Sequence, residues 1–334
     1  MDALLPNTDE IDQTVFSPSP TGATLITVEH GGRFRAGDQV RPADTTEVMF
    51  VTGVAGNVLT VVRGYGGTTA ATLTDGMKLT ILGNAALEGD EAPAARFTSR
   101  VRRRNYTQIF TATVEVSGSM QAARGIGVGD EVEYQKQERL RELLRDLENC
   151  VLNGTSPAAT QVGSSTVRRT MDGIVRLVQS NRFAPGSGGM PPGGGSNDDE
   201  LTEELLNAAL RATWEKSSGK IDTIVVNGAQ KRRINSFVSS SRTFGAADDR
   251  YRDLVSYYES DFGVCRVVLS RWMPSNTALF LDSSRIQVMP LSGRSFHYKA
   301  LAPRGDSVLG QVIGEYTLEF KNENAHALLS GLAV

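Results

Sequence analysis

Histidine is the side chain that most often carries acid–base chemistry or binds a metal near neutral pH. His30, His297 and His326 lie in unrelated segments, and none has a partner at the spacing of a metal site or a catalytic triad. A lone histidine beside a strand end, such as His326, is more often a hydrogen-bonded structural residue than a base. The sequence therefore predicts neither a histidine-based active site nor a histidine metal centre.

The two cysteines, Cys150 and Cys265, are too few for a disulfide framework and lack metal-ligand spacing. Cys150 falls on the apolar stripe of a predicted helix, and Cys265 opens a predicted strand. Because free cysteines are often buried, we expect two reduced core residues. A reducing compartment agrees with that interpretation.

Two other patterns resemble reactive sites but have simpler structural interpretations. Gly125-Ile-Gly-Val-Gly lacks the Lys-Ser/Thr ending of a phosphate loop and is better explained as the break before a helix. Asp198-Asp199-Glu200 resembles a metal cluster, but the same acids also suit a helix cap. Because no nucleophile, carboxylate pair or ligand set emerges, we expect no catalytic residue, no metal and no cofactor.

Opposite charges lie close together between residues 84 and 104. They indicate an exposed loop that meets a complementary charge elsewhere, and a merely solvated ribbon is an equal alternative. The basic run has no interleaved aromatic residues, and the net charge of the chain is only −3, so tight binding of nucleic acid is not expected. The candidate intersubunit residues are Glu88, Asp90, Glu91, Arg100, Arg102, Arg103 and Arg104.

The 334 residues suffice for two or three packing units, and 40% hydrophobic with 22% charged residues is ordinary for a globular protein. No run approaches the roughly 18 apolar residues of a membrane span. The first residues lack the basic region and apolar core of a signal peptide.

The first part of the chain changes pattern twice. Residues 1–20, with Pro6, Pro18 and Pro20, read as an extended N-terminal arm. Residues 21–83 alternate β-branched runs with glycine-containing turns, which predicts a small barrel or sandwich.

The next elements are a strand and a long helix. Thr107–Ser117 alternates apolar and polar residues as a half-buried strand does. After a glycine-rich break, Asp130 is suited to cap a helix over about 130–152, whose apolar stripe runs from Leu140 to Val151 and which Gly154 can end.

Strands and helices alternate from 165 to 290, which predicts a compact α/β or α+β unit. We expect helices near 168–180, 200–216 and 229–238, strands near 264–270, 278–282 and 286–289, and a closing strand over 311–320. Gly186–Ser196, with its many glycines, predicts a mobile surface loop.

Five blocks in order resemble one family of tailed-phage major capsid proteins, over about residues 88–334. The blocks are Glu88-Gly-Asp90; Asn105-Tyr-Thr-Gln-Ile-Phe110 with Val114–Ala122; Ser260-Asp-Phe-Gly263 with Arg271; Phe280-Leu-Asp282; and Glu315-Tyr-Thr-Leu-Glu319 with Asn322-Glu323 and Ala325-His326.

The resemblance implies an α+β fold of the Hong-Kong-97 type, which has an N-terminal arm, an extended E-loop, a peripheral (P) domain with a spine helix and sheet, and an axial (A) domain. The implied division is 1–20 for the arm, 21–83 for a β-rich insertion that the simplest relatives do not all carry, 84–124 for the E-loop and P-domain strands, 125–164 for the spine helix, 165–300 for the A-domain and 301–334 for the P-domain C-terminal strand.

The function implied is a structural protein of the virion that assembles with itself, in the host bacterial cytoplasm, into hexamers and pentamers of an icosahedral head. The head would enclose double-stranded DNA without sequence-specific binding, with portal, scaffolding or decoration proteins as possible partners and no membrane. The alternatives are an encapsulin-like compartment shell, a β-rich decoration or tail protein built on 21–83, and an enzyme whose site is assembled from distant residues.

Overall fold

The computed structural model describes residues 7–89, 102–123, 129–157, 163–195, 199–217, 219–241 and 257–334. Apart from Met1, the chain divides into two compact units, Asp2–Val101 and Arg102–Val334. We call them the barrel unit and the main unit. Together they contain both helices and sheets, so the predicted α+β class is confirmed.

The barrel unit is a six-stranded antiparallel sheet whose two edge strands meet. The strand order is β1-β6-β3-β4-β5-β2, and a bridge between Ile11 and Val28 joins the ends. Alternate side chains of the strands point inward and form one core, in which Ile26, Met49 and Leu59 have no exposed surface. The strands are β1 Thr8–Glu10, β2 Leu25–Thr27, β3 Asp38–Pro42, β4 Met49–Ala55, β5 Val58–Val62 and β6 Lys78–Asn84, with 3₁₀ turns at Gly31–Arg33 and Tyr65–Gly67.

A buried ion pair lies within this unit. The guanidinium of Arg63 donates from Nε to Glu47 Oε1 at 2.7 Å and from Nη2 to Glu47 Oε2 at 2.8 Å. The backbone N–H groups of Gly64 and Ala71 also donate to the carboxylate. Burial raises the pKa of Glu47, but these hydrogen bonds and the charge of Arg63 outweigh it and hold the pKa below its ordinary value.

The predicted arm over residues 1–20 is wrong for its described part. Thr8–Glu10 pairs with β6, and Ile11 is 2% exposed in the barrel core. The prolines at 18 and 20 indicated an irregular chain over this region. A three-residue strand is too short to show an alternating pattern that would have indicated otherwise.

The main unit contains a four-stranded antiparallel sheet around one long strand. β15, Ser307–Phe320, pairs with β7, Gln108–Ser117, and also with β13, Ile286–Pro290, and β14, His297–Ala300. The long helix packs on this sheet through Leu143 and Leu147, which contact the core that contains Phe110, Val114 and Val312.

The expected long helix is confirmed as α2, Glu131–Asn153, after the short α1, Gly118–Ala122. Asp130 caps it as predicted, because its carboxylate accepts from the N–H groups of Val132 and Glu133. The helix ends at Gly154, where an added Cβ would come within 2.4 Å of the carbonyl oxygen of Cys150.

A six-stranded sheet forms the second layer of the main unit, in the order β10-β11-β9-β12-β16-β8. Helix α4 covers one face through Leu205, Leu206 and Leu210, and the other face packs against α3 and the end of α2. The elements are α3 Ile174–Leu177, β8 Arg182–Phe183, α4 Glu203–Lys216, β9 Thr223–Val226, α5 Gly228–Ser241, β10 Tyr257–Ser260, β11 Gly263–Leu269, β12 Thr277–Leu281 and β16 Ala327–Ser330, with 3₁₀ turns at Ser283–Arg285 and Glu323–Ala325.

Several predicted elements in this region need correction. The helix expected over 168–180 is only four residues long, because Gly173 lies against the backbone of Leu152 and Gly154 and so keeps the preceding chain extended. Helix α4 starts at Glu203 and is capped by Thr202, not by residues 197–199, of which 197 and 198 lie outside the described residues.

The loop expected over 186–196 is partly packed. Its Pro191 and Gly194 are buried, and Met190 contacts the core beneath α4. Glycines at positive φ, such as Gly186 and Gly193, make tight turns here. A high glycine content alone does not distinguish such turns from a flexible loop.

The expected boundary at residue 300 also differs from the sheets. β13 and β14, inside 165–300, pair with β15, and β16, inside 301–334, joins the six-stranded sheet beside β12. Alternating patterns identify strands but do not state which sheet each one joins.

Candidate functional site

Two of the five blocks that carry the family resemblance, those that begin at Asn105 and at Glu315, lie on neighbouring strands. Strands β7 and β15 pair in one uninterrupted antiparallel register of ten residues, from Gln108 opposite Tyr316 to Ser117 opposite Ser307. Their apolar positions face α2, and the opposite face carries Thr111, Thr113 and Glu115. This ladder is the frame from which the neighbouring polar contacts extend.

Asn105, just before β7, uses its whole side-chain hydrogen-bonding capacity. Its Nδ2 donates to the carbonyl oxygens of Asp172 at 3.0 Å and Leu318 at 3.2 Å. Its Oδ1 accepts from the N–H groups of Asp172 and Tyr106, both at 2.9 Å. Two donors and two acceptors are all that an amide side chain offers. Asn105 therefore joins three segments of the main unit.

Glu315 is a carboxylate enclosed at the edge of the same ladder. The residue is 3% exposed, and Arg169 Nη2 donates to Oε1 at 2.7 Å while Arg294 Nε donates to Oε2 at 2.9 Å. Thr107 Oγ1 donates to Oε1 at 2.5 Å. A buried carboxylate is tolerable only with such partners, so Glu315 ties the segments around 107, 169 and 294 to β15.

The crossing from β15 to β16 is held by a second polar group. Burial raises the pKa of Glu323, but hydrogen bonds from Ser180 and from the Gln179 N–H, with the charge of Arg103, outweigh it and lower the pKa. Asn181 donates to the carbonyl oxygens of Asn324 and His326. These contacts fix the point at which the chain passes from one sheet of the main unit to the other.

His326 is the structural residue that the sequence predicts. It has no exposed surface, its ring stacks on Phe320 with centroids 4.4 Å apart, and Nδ1 accepts from the N–H of Asp282 at 3.2 Å. Nε2 lies 3.3 Å from the carbonyl oxygen of Lys321. Burial lowers the pKa of His326 to about 4, so the ring is neutral at pH 7.

Among the described residues, one group of three possible metal ligands comes together: Asp9, Glu29 and His30 in the barrel unit. Sequence spacing alone did not reveal it. The Asp9 Oδ1 atom already accepts from Arg33 Nη1 at 2.8 Å and lies 3.1 Å from His30 Nδ1. Because a guanidinium occupies the position that a cation would need, we interpret this group as an ion-pair cluster.

Both cysteines are free, as predicted. Cys265 is 1% exposed, and burial raises the pKa of its thiol to about 11; Cys150 is half-buried, and burial likewise raises its pKa. A thiol whose pKa is raised by burial is a poor nucleophile near pH 7. Within the described part of the chain, no helix has the length and apolar character needed to cross a membrane.

The candidate intersubunit residues are only partly visible. Asp90, Glu91 and Arg100 lie outside the described residues. Glu88, Arg102, Arg103 and Arg104 are exposed. Arg103 differs from the two arginines beside it, since its Nη1 donates to Gln179 Oε1 at 2.6 Å within the same chain.

Asn105 and Glu315 stand in motifs of the sequence, but no local pattern assigns them a role or singles out Arg169 or Arg294. One signal was present: Glu315 is an acid in the middle of an alternating closing strand, where an uncompensated charge would be costly. Its partners lie 21 to 208 positions away in the chain, which no local pattern reveals.

A sequence profile of the SU10 major capsid protein family matches residues 7–333, so this chain belongs to that family. The major capsid protein of Escherichia phage Phieco32 is 22% identical over 285 residues, covering 74% of this chain and 80% of its own length. That of Pseudomonas phage PaMx41 is 26% identical over 195 residues, covering 58% of this chain and 46% of its own length.

Among solved structures, the capsid of an empty GTA particle matches with a TM-score of 0.47 at 12% identity, over 75% of this chain and 81% of that one. The family assignment rests on the sequence match. The predicted resemblance to phage major capsid proteins is confirmed, and the family is one of capsid structural proteins, not of enzymes.

Replacing Glu315 with glutamine tests the enclosed carboxylate. The change leaves Arg169 and Arg294 without their anion, so we expect the free energy of unfolding to fall by about 2 kcal/mol, discounted because both arginines are partly exposed. Urea unfolding followed by circular dichroism measures it. Glu319→Gln in the same strand should change stability by less than about 0.5 kcal/mol, because the one ion pair of this carboxylate within the described residues is the exposed pair with Lys321. Equal losses in both variants would contradict the role of Glu315.

The lowered pKa of His326 predicts a pH dependence of stability. The folded-state pKa of about 4 lies below the ordinary 6.5, so the stability contributed by the neutral ring is present above pH 6.5 and is lost as the pH falls toward 4. At pH 5 the loss should be about 2 kcal/mol relative to pH 7. His326→Gln, which keeps an acceptor and a donor but does not titrate, should lack this part of the dependence. Identical pH profiles for the two proteins would refute the assignment.

Proposed function

We propose that this protein assembles into hexamers and pentamers that form the icosahedral head of a tailed phage around its double-stranded DNA. The observation that carries the proposal is the family match over residues 7–333. Assembly takes place in the host bacterial cytoplasm, and the protein is then part of the virion. Portal, scaffolding and decoration proteins are further proposed partners.

The composition suits a container better than a DNA-binding protein. A net charge of −3 provides little neutralisation of phosphate, so enclosure of the genome would rest on the closed shell and not on tight contacts with each phosphate. Shell subunits can use individually weak contacts, because many are made at once and closure raises the effective concentration of each.

A decoration or tail protein built around the barrel unit is less well supported. Three of the four cores of the described residues belong to the main unit, so the barrel is the smaller part of the protein. The alternative function, a compartment shell, would also form a closed particle. The two differ in what the particle contains, an enzyme in the compartment shell and DNA in the phage head.

We further propose that the charged residues near 88–104 contact neighbouring subunits. Arg102 and Arg104 are the best candidates, because both are exposed and, within the described residues, neither has an intrachain partner such as the one Arg103 has. Arg103 has an intrachain partner in Gln179. Glu88 is exposed and has no ion pair within the described residues. Asp90, Glu91 and Arg100 complete the proposed set.

Negative-stain microscopy of the purified protein tests both proposals. We expect closed shells or ring-shaped capsomers for the wild type, and particles from infected or expressing cells should contain DNA and not an enzyme. The double change Arg102→Glu and Arg104→Glu should lower particle yield about tenfold or more, with the far-UV circular dichroism and the unfolding midpoint of the subunit unchanged.

The matched control reverses two other exposed arginines, Arg271→Glu and Arg304→Glu, which alters net charge equally. A wild-type protein that stays monomeric under all conditions contradicts the shell proposal. Normal shells from the Arg102/Arg104 variant contradict only the contact proposal.

A further inference from the structure

A small open cavity lies beside the C-terminal end of α4 in the main unit. Its volume is about 260 Å³, and the apolar side chains that line it come from α4, from the segment before β9 and from the β10–β11 hairpin: Leu210, Trp214, Ile221, Phe262 and Cys265. Sites for whole small molecules usually measure roughly 300–1,000 Å³. This cavity therefore suits one apolar side chain of a partner better than a free ligand.

Trp214 forms a wall of the cavity that is open to solvent. The residue is 62% exposed, and its ring lies against that of Phe262 with the centroids 5.9 Å apart. Exposure of so large an apolar surface is unfavourable, and tryptophan is enriched at the centres of protein interfaces. An apolar side chain that entered the cavity would remove part of this surface from water.

The rim of the cavity carries a net positive charge. Lys220 lines the cavity and Lys216 ends α4; both are exposed, and neither has an ion pair in the part of the chain that the structure describes. The exposed Asp261, in the turn between β10 and β11, offsets one of these charges, and Glu215 is already paired with Arg211 at 2.9 Å. A matching partner therefore combines one apolar side chain with carboxylates beside it.

The chain itself carries such a segment in the barrel unit. Leu87, three residues after the end of β6, is 77% exposed, and the exposed Glu88 follows it. Asp90 and Glu91 come next in the sequence. Val15 is 79% exposed as well, but it has no charged residue within two positions on either side. Leu87 and the acids after it match the cavity in both size and charge.

We propose that Leu87 of one copy enters the cavity beside Trp214 in the main unit of a second copy, where Glu88 pairs with Lys220. The inference rests on the proposed assembly of the protein with itself, and it gives the acidic end of the charged block a receiving site. Burial of apolar surface on Leu87 and Trp214 supplies the affinity, and the charges set the direction of the bound segment.

Cys265 makes the contact measurable, because it lines the same cavity. In a Cys150→Ser background, Leu87→Cys brings a second thiol within disulfide reach of Cys265 in the neighbouring copy. Oxidation of the assembled protein with diamide should then give dimers and longer products on a non-reducing gel, and Cys265→Ser should abolish them.

The matched control is Val15→Cys, since that position is equally exposed in the same unit. Leu87→Cys should cross-link at least about tenfold faster, because a formed contact holds the two thiols at an effective concentration on the order of millimolar. Glu88→Lys should slow the cross-linking of the Leu87→Cys chain about threefold, and Lys220→Glu should restore the rate. Lys299→Glu, an equal change of charge at an exposed position on β14, should not restore it.

Because Cys265 is buried and its thiol reacts slowly, the fluorescence of Trp214 gives a second measurement. In a Trp272→Phe chain, which removes the other tryptophan, assembly should protect Trp214 from quenching by acrylamide, and Leu87→Ser should remove that protection.

Particles that form normally but show neither the cross-link nor the protection overturn the contact and leave the shell proposal in place. A disulfide that forms within one chain, or equal cross-linking of Val15→Cys, also overturns it. A protein that never assembles contradicts both proposals.

Discussion

The main unit depends on the pairing of β7 with β15. Ten consecutive residue pairs join strands almost two hundred positions apart in the chain, and α2 packs across their apolar face. The loop-closure entropy of such a distant pairing has to be offset by many contacts at once. The enclosed Glu315 adds a second requirement for folding. Its charge is compensated only when the segments that carry Arg169 and Arg294 have packed against β15.

The second sheet is joined to the first by the continuation of β15 into β16. Glu323, Asn181 and His326 form a polar group at this crossing, while Leu318 and Leu328 place both strands in one core. Because buried polar groups are costly unless they are satisfied, such contacts favour one arrangement of the two sheets over others. A subunit of a shell needs one fixed arrangement of its sheets, because a small error in its shape would recur at every contact between subunits.

Much of the fold could be predicted from local patterns. The stripe from Leu140 to Val151 and the acid at 130 define α2, and alternation defines β7 and the closing strand. The predictions that failed concern contacts between residues far apart in the chain. The assignment of β13, β14 and β16 to sheets follows from pairings over long distances, and Ile11 enters the barrel core through a strand too short to recognise.

The hydrogen-bonded contacts between segments could be predicted even less well than the sheets. Asn105, Thr107 and Glu315 were visible as parts of recurring motifs, but the hydrogen-bond partners that tie them to other segments lie 21 to 213 residues away. The charged residues near 102–104 were seen as one block. All three arginines are exposed, but Arg103 differs from the other two because it donates to Gln179 of its own chain. An extended backbone directs neighbouring side chains to opposite faces, which composition alone does not reveal.

Native-state hydrogen exchange of the intact chain, followed peptide by peptide, tests the central claim that the β7–β15 ladder is the fixed part of the main unit. Within residues 102–334 we expect the slowest exchange in 108–117 and 307–320, at rates set by global unfolding. Ladder peptides that exchange orders of magnitude faster than α4 and the six-stranded sheet would contradict it.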